Sequence, residues 1–407
     1  MKRSLFHILG CAVLALGFSA AAPVWAQVPI VYDGSDPTML QNVPTLGNDV
    51  LAPSGSNTGK SNSLAGNSVT LETGGTVAGI RGAMNSLDAD EVSGNHVIIE
   101  SGVANLLVGV QMMSASIAGG EHYALSSASY GVSSRSNVVS IRGGEVVVNS
   151  VITPIVGGLA ANYGTGSAAA LGNLVGIEGG VIQDNNITAT SIIGGSAYVR
   201  GDGEDVEASG NAVWISGGEF RSVNEIVGGR AWSNAVAPGT ATASNNTVII
   251  DGTPIFTGAL PMIYGAVTIP AGGTMVDNIL HVSTIGLSVR GLENFQLMDF
   301  MLPTALANGD TMITTGAAGA DLTGVTISVD IDNPLAPPTI VAGNRYTLIS
   351  NVSGTFAPVS GTLGGLSYTI SIVTSGGSSS LVLDFRMLLA QLLLSLRRLR
   401  TQRRTRQ

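Results

Sequence analysis

Beyond residue 26 the chain offers little with which to build a reaction: three histidines, His96, His122 and His281, and no cysteine, because Cys11 is the only one. Metal or acid–base chemistry would need imidazoles or thiolates at ligand spacing, or paired carboxylates. The three histidines are far apart. His96 and His281 fall inside alternating apolar phrases, where a structural role is expected. Glu121-His122 follows a Gly-Gly pair, which suggests a loop, but no second His stands at metal-ligand spacing. Neither a G-x-S-x-G elbow nor H-E-x-x-H occurs. The stretch SGSNTGKS from Ser54 imitates a phosphate loop, with Ser54 where the first Gly belongs, inside a Gly/Ser/Asn linker. Two acidic runs remain: Asp88, Asp90 and Glu91, and Asp202, Glu204, Asp205 and Glu207. Neither has EF-hand or nonapeptide calcium spacing. A solvated loop face is the expectation, with Asp202, Glu204 and Asp205 as a weak calcium candidate. No catalytic residue and no cofactor is expected.

The elements that would carry such residues come from one phrase written seven times: a small polar residue, Asn, any residue, Val or Ile, any residue, an aliphatic, then usually Gly. It reads GNSVTLETGG from Gly66, GNHVIIESG from Gly94, SNVVSIRGG from Ser136, GNLVGIEGG from Gly172 and GNAVWISGG from Gly210. NNTVIIDG from Asn245 and DNILHVST from Asp277 are degraded copies. Asn67, Asn95, Asn137, Asn173, Asn211, Asn246 and Asn278 are spaced 28, 42, 36, 38, 35 and 32 apart. Such periods indicate stacked supersecondary units. The period of two inside the phrase puts Asn, Val and the aliphatic on one face of a strand. One strand buries two or three aliphatics at roughly 1.5–3 kcal/mol each, too little to order a whole repeat alone. Stacking supplies the rest, and the inward Asn side chains are expected to bond between coils as a ladder.

A second phrase falls inside most copies: SIAGGEH from Ser116, PIVGGLA from Pro154, SIIGGSA from Ser191 and EIVGGRA from Glu225. It predicts a further strand per repeat, with Gly119-Gly120, Gly157-Gly158, Gly194-Gly195 and Gly228-Gly229 as corners. Variable Ala/Ser/Gly-rich stretches such as AANYGTGSAAALG then read as loops. Strand, corner, strand, corner and loop in register predict an all-β, right-handed parallel β-helix. A β-propeller is disfavoured, because Asn-Gly hairpin turns are missing.

Charge and the N-terminus speak to compartment. Residues 27–385 carry 9 Lys plus Arg against 27 Asp plus Glu, whereas the last 22 residues hold 7 Arg and no acid. An acidic body argues against nucleic acid as a partner. Lys2 and Arg3, the apolar run from Ile8 to Ala22, and Val24-Trp25-Ala26 form an export signal, with cleavage expected after Ala26. Ile8-Leu9-Gly10-Cys11 is a poorer lipobox reading. A mature chain without cysteine has no disulfide and stays free to cross a narrow pore unfolded.

The predicted organisation is therefore a signal peptide at 1–26, an N-terminal linker or cap at 27–64, the repeat region at 65–290, a C-terminal β-rich cap at 291–385 and an Arg/Leu-rich tail at 386–407. With its Leu292-to-Phe300 phrase, its Gly309-Asp310-Thr311 turn and its Ala320-to-Gly324 ADLTG phrase, the chain resembles the passenger region of a Gram-negative autotransporter (type V secretion) over roughly residues 1–385. The resemblance implies export, display at the outer membrane through a C-terminal barrel, and a passenger that acts as an adhesin or self-associates. That barrel is not in this sequence. The RMLLAQLLLSLRRLRTQRRTRQ tail reads as translation out of frame after loss of the barrel, with a frayed basic tail and a membrane-surface helix as alternatives.

Two function classes follow. The first is a non-enzymatic surface or secreted scaffold that binds host or neighbouring-cell protein or glycan, with Tyr123, Tyr163, Tyr198 and Trp232 as contact area. The second is a polysaccharide lyase or hydrolase, which a cleft lined by carboxylates plus Arg on adjacent coils would favour.

Overall fold

The computed structural model describes residues 30–32, 47–51, 57–58, 65–66, 68–72, 76–77, 79–85, 91–106, 117–124, 129–148, 155–185, 190–235 and 239–387. The signal region with Ala26, Asn67, Asp88, Asp90, all but Asn57 and Thr58 of the phosphate-loop mimic, and the tail from residue 388 lie outside the described residues.

Each repeat becomes one coil of a β-solenoid of about seven turns, all-β and parallel through its body. A coil has four strands, as in Val138–Ile141, Glu145–Val148, Ile155–Asn162 and Ala168–Leu171. Stacking collects these into a first sheet of ten strands, a second of six, a third of fifteen and a fourth of five. All phrase strands enter the first sheet in one register, so that Val97, Val139, Val175, Val213, Val248 and Leu280 form a single row. Each of these is fully buried, as is the aliphatic two residues later, from Ile99 to Val282. The period of two thus does what the phrase requires.

The variable stretches hold more than loops. Val132–Arg135, Ala168–Leu171 and Val206–Ser209 are three of the five parallel strands of the fourth sheet, one per coil. Their Ala- and Ser-rich composition hides them from a reading that seeks β-branched runs. True corners sit at the ends of the phrase. Gly144 closes one at φ 72°, and Gly172 opens the next coil at φ 63°.

The predicted Gly-Gly corners are not corners. Gly157 and Gly158 lie inside Ile155–Asn162, Gly194 and Gly195 inside Ser191–Val199, Gly119 and Gly120 inside Ile117–Ala124, and Gly228 and Gly229 inside Glu225–Ser233. None has positive φ. They serve close approach. A Cβ on Gly195 would stand 2.1 Å from Asn211 Oδ1, and one on Gly158 2.2 Å from Asn173 Oδ1. The third sheet crosses the coil against the Asn row, and at Gly158, Gly195 and Gly229 a Cβ would collide with an Asn amide, whereas Ala266 takes the register position of Gly229 on the next coil.

The crossing divides the interior in two. On one side, Ile117, Ile155, Ile192 and Ile226 of the third sheet pack with the Val and Ile of the first and second sheets. On the other, Ala160, Ala197 and Ala231 meet Ala168, Ala170, Val206 and Ala208 of the fourth sheet.

Parallel stacking does not end near residue 290. Leu297–Leu302 and Thr326–Ile331 continue the first sheet, and Thr311–Asp321 and Arg345–Ser350 the third. The change to antiparallel pairing comes later, where Ser378–Arg386 joins Arg345–Ser350 and pairs with Leu366–Ser375, followed by Val359–Leu363. At the other end Gly47–Leu51 lies antiparallel to Gly79–Asn85. Antiparallel strands thus cover both ends of the third sheet, where bare parallel edges would invite pairing with other chains.

Candidate functional site

Among the sequence-singled residues the Asn row is the most tightly bound. Nδ2 of Asn95, Asn137, Asn173, Asn211 and Asn246 donates to Oδ1 of the Asn one coil on, at 2.9, 3.2, 3.0, 3.1 and 3.1 Å. The same oxygens accept the backbone N–H of the preceding Asn, each at 3.0 Å. The second Nδ2 proton goes back to a carbonyl one coil earlier, as from Asn211 to Ala170 O at 2.9 Å. These side chains are 0–1 % exposed, so they hold the coils together and are closed to any ligand. The row continues into Gln296, whose Oε1 takes Asn278 Nδ2 at 3.2 Å and Asn278 N–H at 2.9 Å. Gln296 precedes Leu-Met-Asp-Phe as Asn278 precedes Ile-Leu-His-Val, so the alternation marks it as another copy of the phrase.

The histidines separate by environment. His122 lies within a strand and not on a loop; it is fully buried, and its Nδ1 accepts the Ser133 N–H at 3.0 Å. His96 Nε2 meets Ser140 Oγ at 2.8 Å on the outer side of the first sheet. Burial first, and Arg142 second, hold the His96 imidazole below its ordinary pKa. Glu121 is paired with Arg81 at 2.5 Å, both side chains 2 % exposed.

The calcium candidate does not assemble. Asp205 Oδ1 accepts the Thr240 N–H at 2.7 Å, and Asp202 and Asp205 are exposed. Among the described residues no group of three or more His, Cys, Asp or Glu is placed to hold a metal ion. The carboxylate–Arg row that does occur, Glu100–Arg142–Glu178 at 2.8 and 3.4 Å, pairs its charges across three coils at a corner, each side chain more than 40 % exposed. Between the last parallel coils, a groove of about 400 Å³ is lined by Glu293, Gln296, Asp321 and Thr323 among others. There the Thr323 N–H, at 2.9 Å, helps hold the Asp321 carboxyl below its usual pKa.

Two outer faces remain. On the third sheet Tyr163, Tyr198 and Trp232 form a ridge, with centroids 5.4 and 5.6 Å apart and the second pair edge to face. Tyr198 and Trp232 are register partners and belong to strands. Burial pushes the Tyr163 hydroxyl well above its ordinary pKa.

The outer face of the first sheet carries a second row, Gly176, Trp214, Ile249, His281, Asp299 and Ser328, one residue per coil. Trp214 Nε1 donates to both Asp251 oxygens at 3.1 Å. Its Cε3 would stand 3.6 Å from a Cβ on Gly176. The indole is therefore fixed lengthwise along the stack, between the coil before and the coil after. His281 Nδ1 lies 3.0 Å from Asp299 Oδ2, and Ser328 Oγ donates to Asp299 Oδ1 at 2.5 Å. Burial raises the Asp251 carboxyl pKa, opposed by the Trp214 hydrogen bond and by His281. His, Asp and Ser stand in a line with Asp between the other two, so the hydroxyl meets the Asp299 carboxylate and not the imidazole, unlike the order in which a histidine activates a serine. What the row offers is an aromatic surface bordered by acceptors and donors. Trp214, Asp251, Asp299 and Ser328 escape a motif search because they sit in four different repeats and meet only through stacking.

No family model matches the chain, and neither a curated protein nor a solved structure gives a significant match.

Proposed function

We propose that this protein is an exported, autotransporter-passenger-like scaffold of a Gram-negative bacterium. It acts at the cell surface or outside the cell, binding protein or glycan on host or neighbouring cells and associating with its own kind, without catalysis. The observation that carries this reading is the outer face of the first sheet. There half-buried side chains such as Trp214, Ile249, Ile279, His281 and Leu297 recur at fixed positions on successive coils. Strands about 4.8 Å apart present these groups as a ruled, nearly rigid surface, which favours binding by lowering the ordering cost of contact. The signal-like N-terminus and the resemblance of the C-terminal phrases support export and display at the outer membrane. The acidic body leaves nucleic acid out of the reading.

The test is attachment. Gram-negative cells producing the chain should adhere to epithelial monolayers, or to one another, more than cells with empty vector. Ile279→Glu on the outer face should remove most of the gain while leaving protease-accessible protein at the surface. Equal adherence with and without the chain overturns the reading.

A further inference from the structure

We infer that the strip Trp214–Asp251–His281–Asp299–Ser328 is a binding site for a neutral or N-acetylated oligosaccharide that lies along the solenoid. The inference rests on the scaffold reading above and gives it a ligand class. From Trp214 to Ser328 the row climbs four strands, roughly 19 Å at the usual strand spacing, enough for several sugar rings end to end.

A pyranose has an apolar C–H face and a rim of hydroxyls. Its recognition calls for a flat aromatic surface with acceptors and donors beside it. Here the half-buried indole of Trp214 is held at both edges, by Gly176 behind and Asp251 ahead. A carboxylate has about four lone-pair sites, so Asp251 retains acceptors after taking the Trp214 N–H. His281 is bound at Nδ1, which leaves Nε2 for a ligand, and its side chain is 20 % exposed. Ser328 Oγ donates to Asp299, so the hydroxyl keeps its lone pairs to accept from a ligand.

Charge decides the class of sugar. The strip contains two carboxylates and no Lys or Arg, and the charged row along the coil corners, Glu100–Arg142–Glu178, has its Arg engaged on both sides. A uronate or sulfated chain would bring like charge against Asp251 with no cation to meet it, whereas hydroxyl and acetamide N–H groups would be donors to it.

The experiment uses the full chain with Trp25→Phe and Trp232→Phe, which leaves Trp214 the only one of the three tryptophans. The β-1,4-linked tetramer of N-acetylglucosamine should change its emission saturably, and a tetramer of galacturonic acid should not. By calorimetry on the otherwise native chain, W214A should abolish binding, W214F should restore part of it, and D251N should weaken it about tenfold. Melting curves identify any variant that fails to fold. Absence of saturable binding at millimolar sugar, W214A binding like the parent, or preference for the uronate each overturns the site. Sugar binding by cells that do not adhere supports the site and removes the cell-surface reading. Adherence without sugar binding removes the site alone.

Discussion

The two halves of a coil solve the same packing problem with different side chains. In the lobe between the first, second and third sheets, Ile177, Ile141 and Ile155 fill a thick interior. In the lobe between the third and fourth sheets the same role falls to Ala160, Ala168, Ala170 and Ala208, and the sheets lie close. Between them runs the Asn row under its glycines. The comparison teaches that the thickness of this solenoid is set by the polar row. Where Asn211 reaches its neighbours on both sides, Gly195 leaves room for its amide and Gly194 for the backbone of Ala212 and Gly228, and the lobe beyond is filled mostly by alanine, with a few valines such as Val206.

The strongest way to break the comparison is to fill the waist. Gly195→Val puts carbon where Asn211 Oδ1 already stands, 2.1 Å from the new Cβ. A loss of more than about 4 kcal/mol is expected, in the range reserved for such clashes. Circular-dichroism melting should show collapse of the transition; a melt within a few degrees of the parent would refute the role given to the glycines.

Next comes the row itself. Asn211→Ala orphans the Asn173 N–H and one proton on Asn173 Nδ2, and removes a donor to the carbonyl of Ala170. Each buried orphan costs about 1–3 kcal/mol, so several kcal/mol are at stake. Hydrogen exchange should accelerate first at the Asn173 amide, and unchanged exchange there would argue that water replaces the side chain without loss.

The lobes can then be compared directly. Ile177→Ala should cost about 2–5 kcal/mol as a cavity, whereas Ala208→Leu should cost about 1–3 kcal/mol by overpacking. Denaturant titration measures both. If leucine is tolerated freely at 208, the small lobe has spare room and its alanines need another explanation.

The smallest expected effect is a pH dependence. His96 has a folded pKa below the ordinary 6.5, from burial first and Arg142 second, with Glu100 opposing. The unfolded chain therefore binds more protons, and stability rises with pH across that interval. The contribution is fully present above 6.5 and is lost as pH falls through the lowered folded value. His96→Gln should flatten melting temperature against pH in that window; an unchanged slope would place the effect elsewhere.

How much was legible follows from what each residue type can mean. The Asn row and its aliphatic partners could be read, because a repeated phrase with a period of two admits one face and one register. The glycines of IVGGLA could not, because glycine supplies both positive φ and empty space, and only the position of Asn173 against Gly158 tells which is wanted. Ala168–Leu171 was missed because a strand buried by alanine carries no apolar signature. Gln296 was missed because its coil is short, 18 residues after Asn278. The Trp214 row was illegible for a simpler reason: its members are register neighbours across repeats of unequal length, and only the stacking fixes who meets whom.

The Asn row has one property that a column of identical contacts would lack: it is a one-way street. Each side-chain amide from Asn95 to Asn278 passes one proton to the side-chain oxygen of its C-terminal neighbour, and each side-chain oxygen from Asn137 to Gln296 accepts from its N-terminal one. A partly built stack thus exposes donors at its leading end and acceptors at its trailing end. The two ends are chemically unlike, and coils dock in one polarity only. Broken anywhere, the stack leaves two unlike surfaces that fit each other and do not fit themselves.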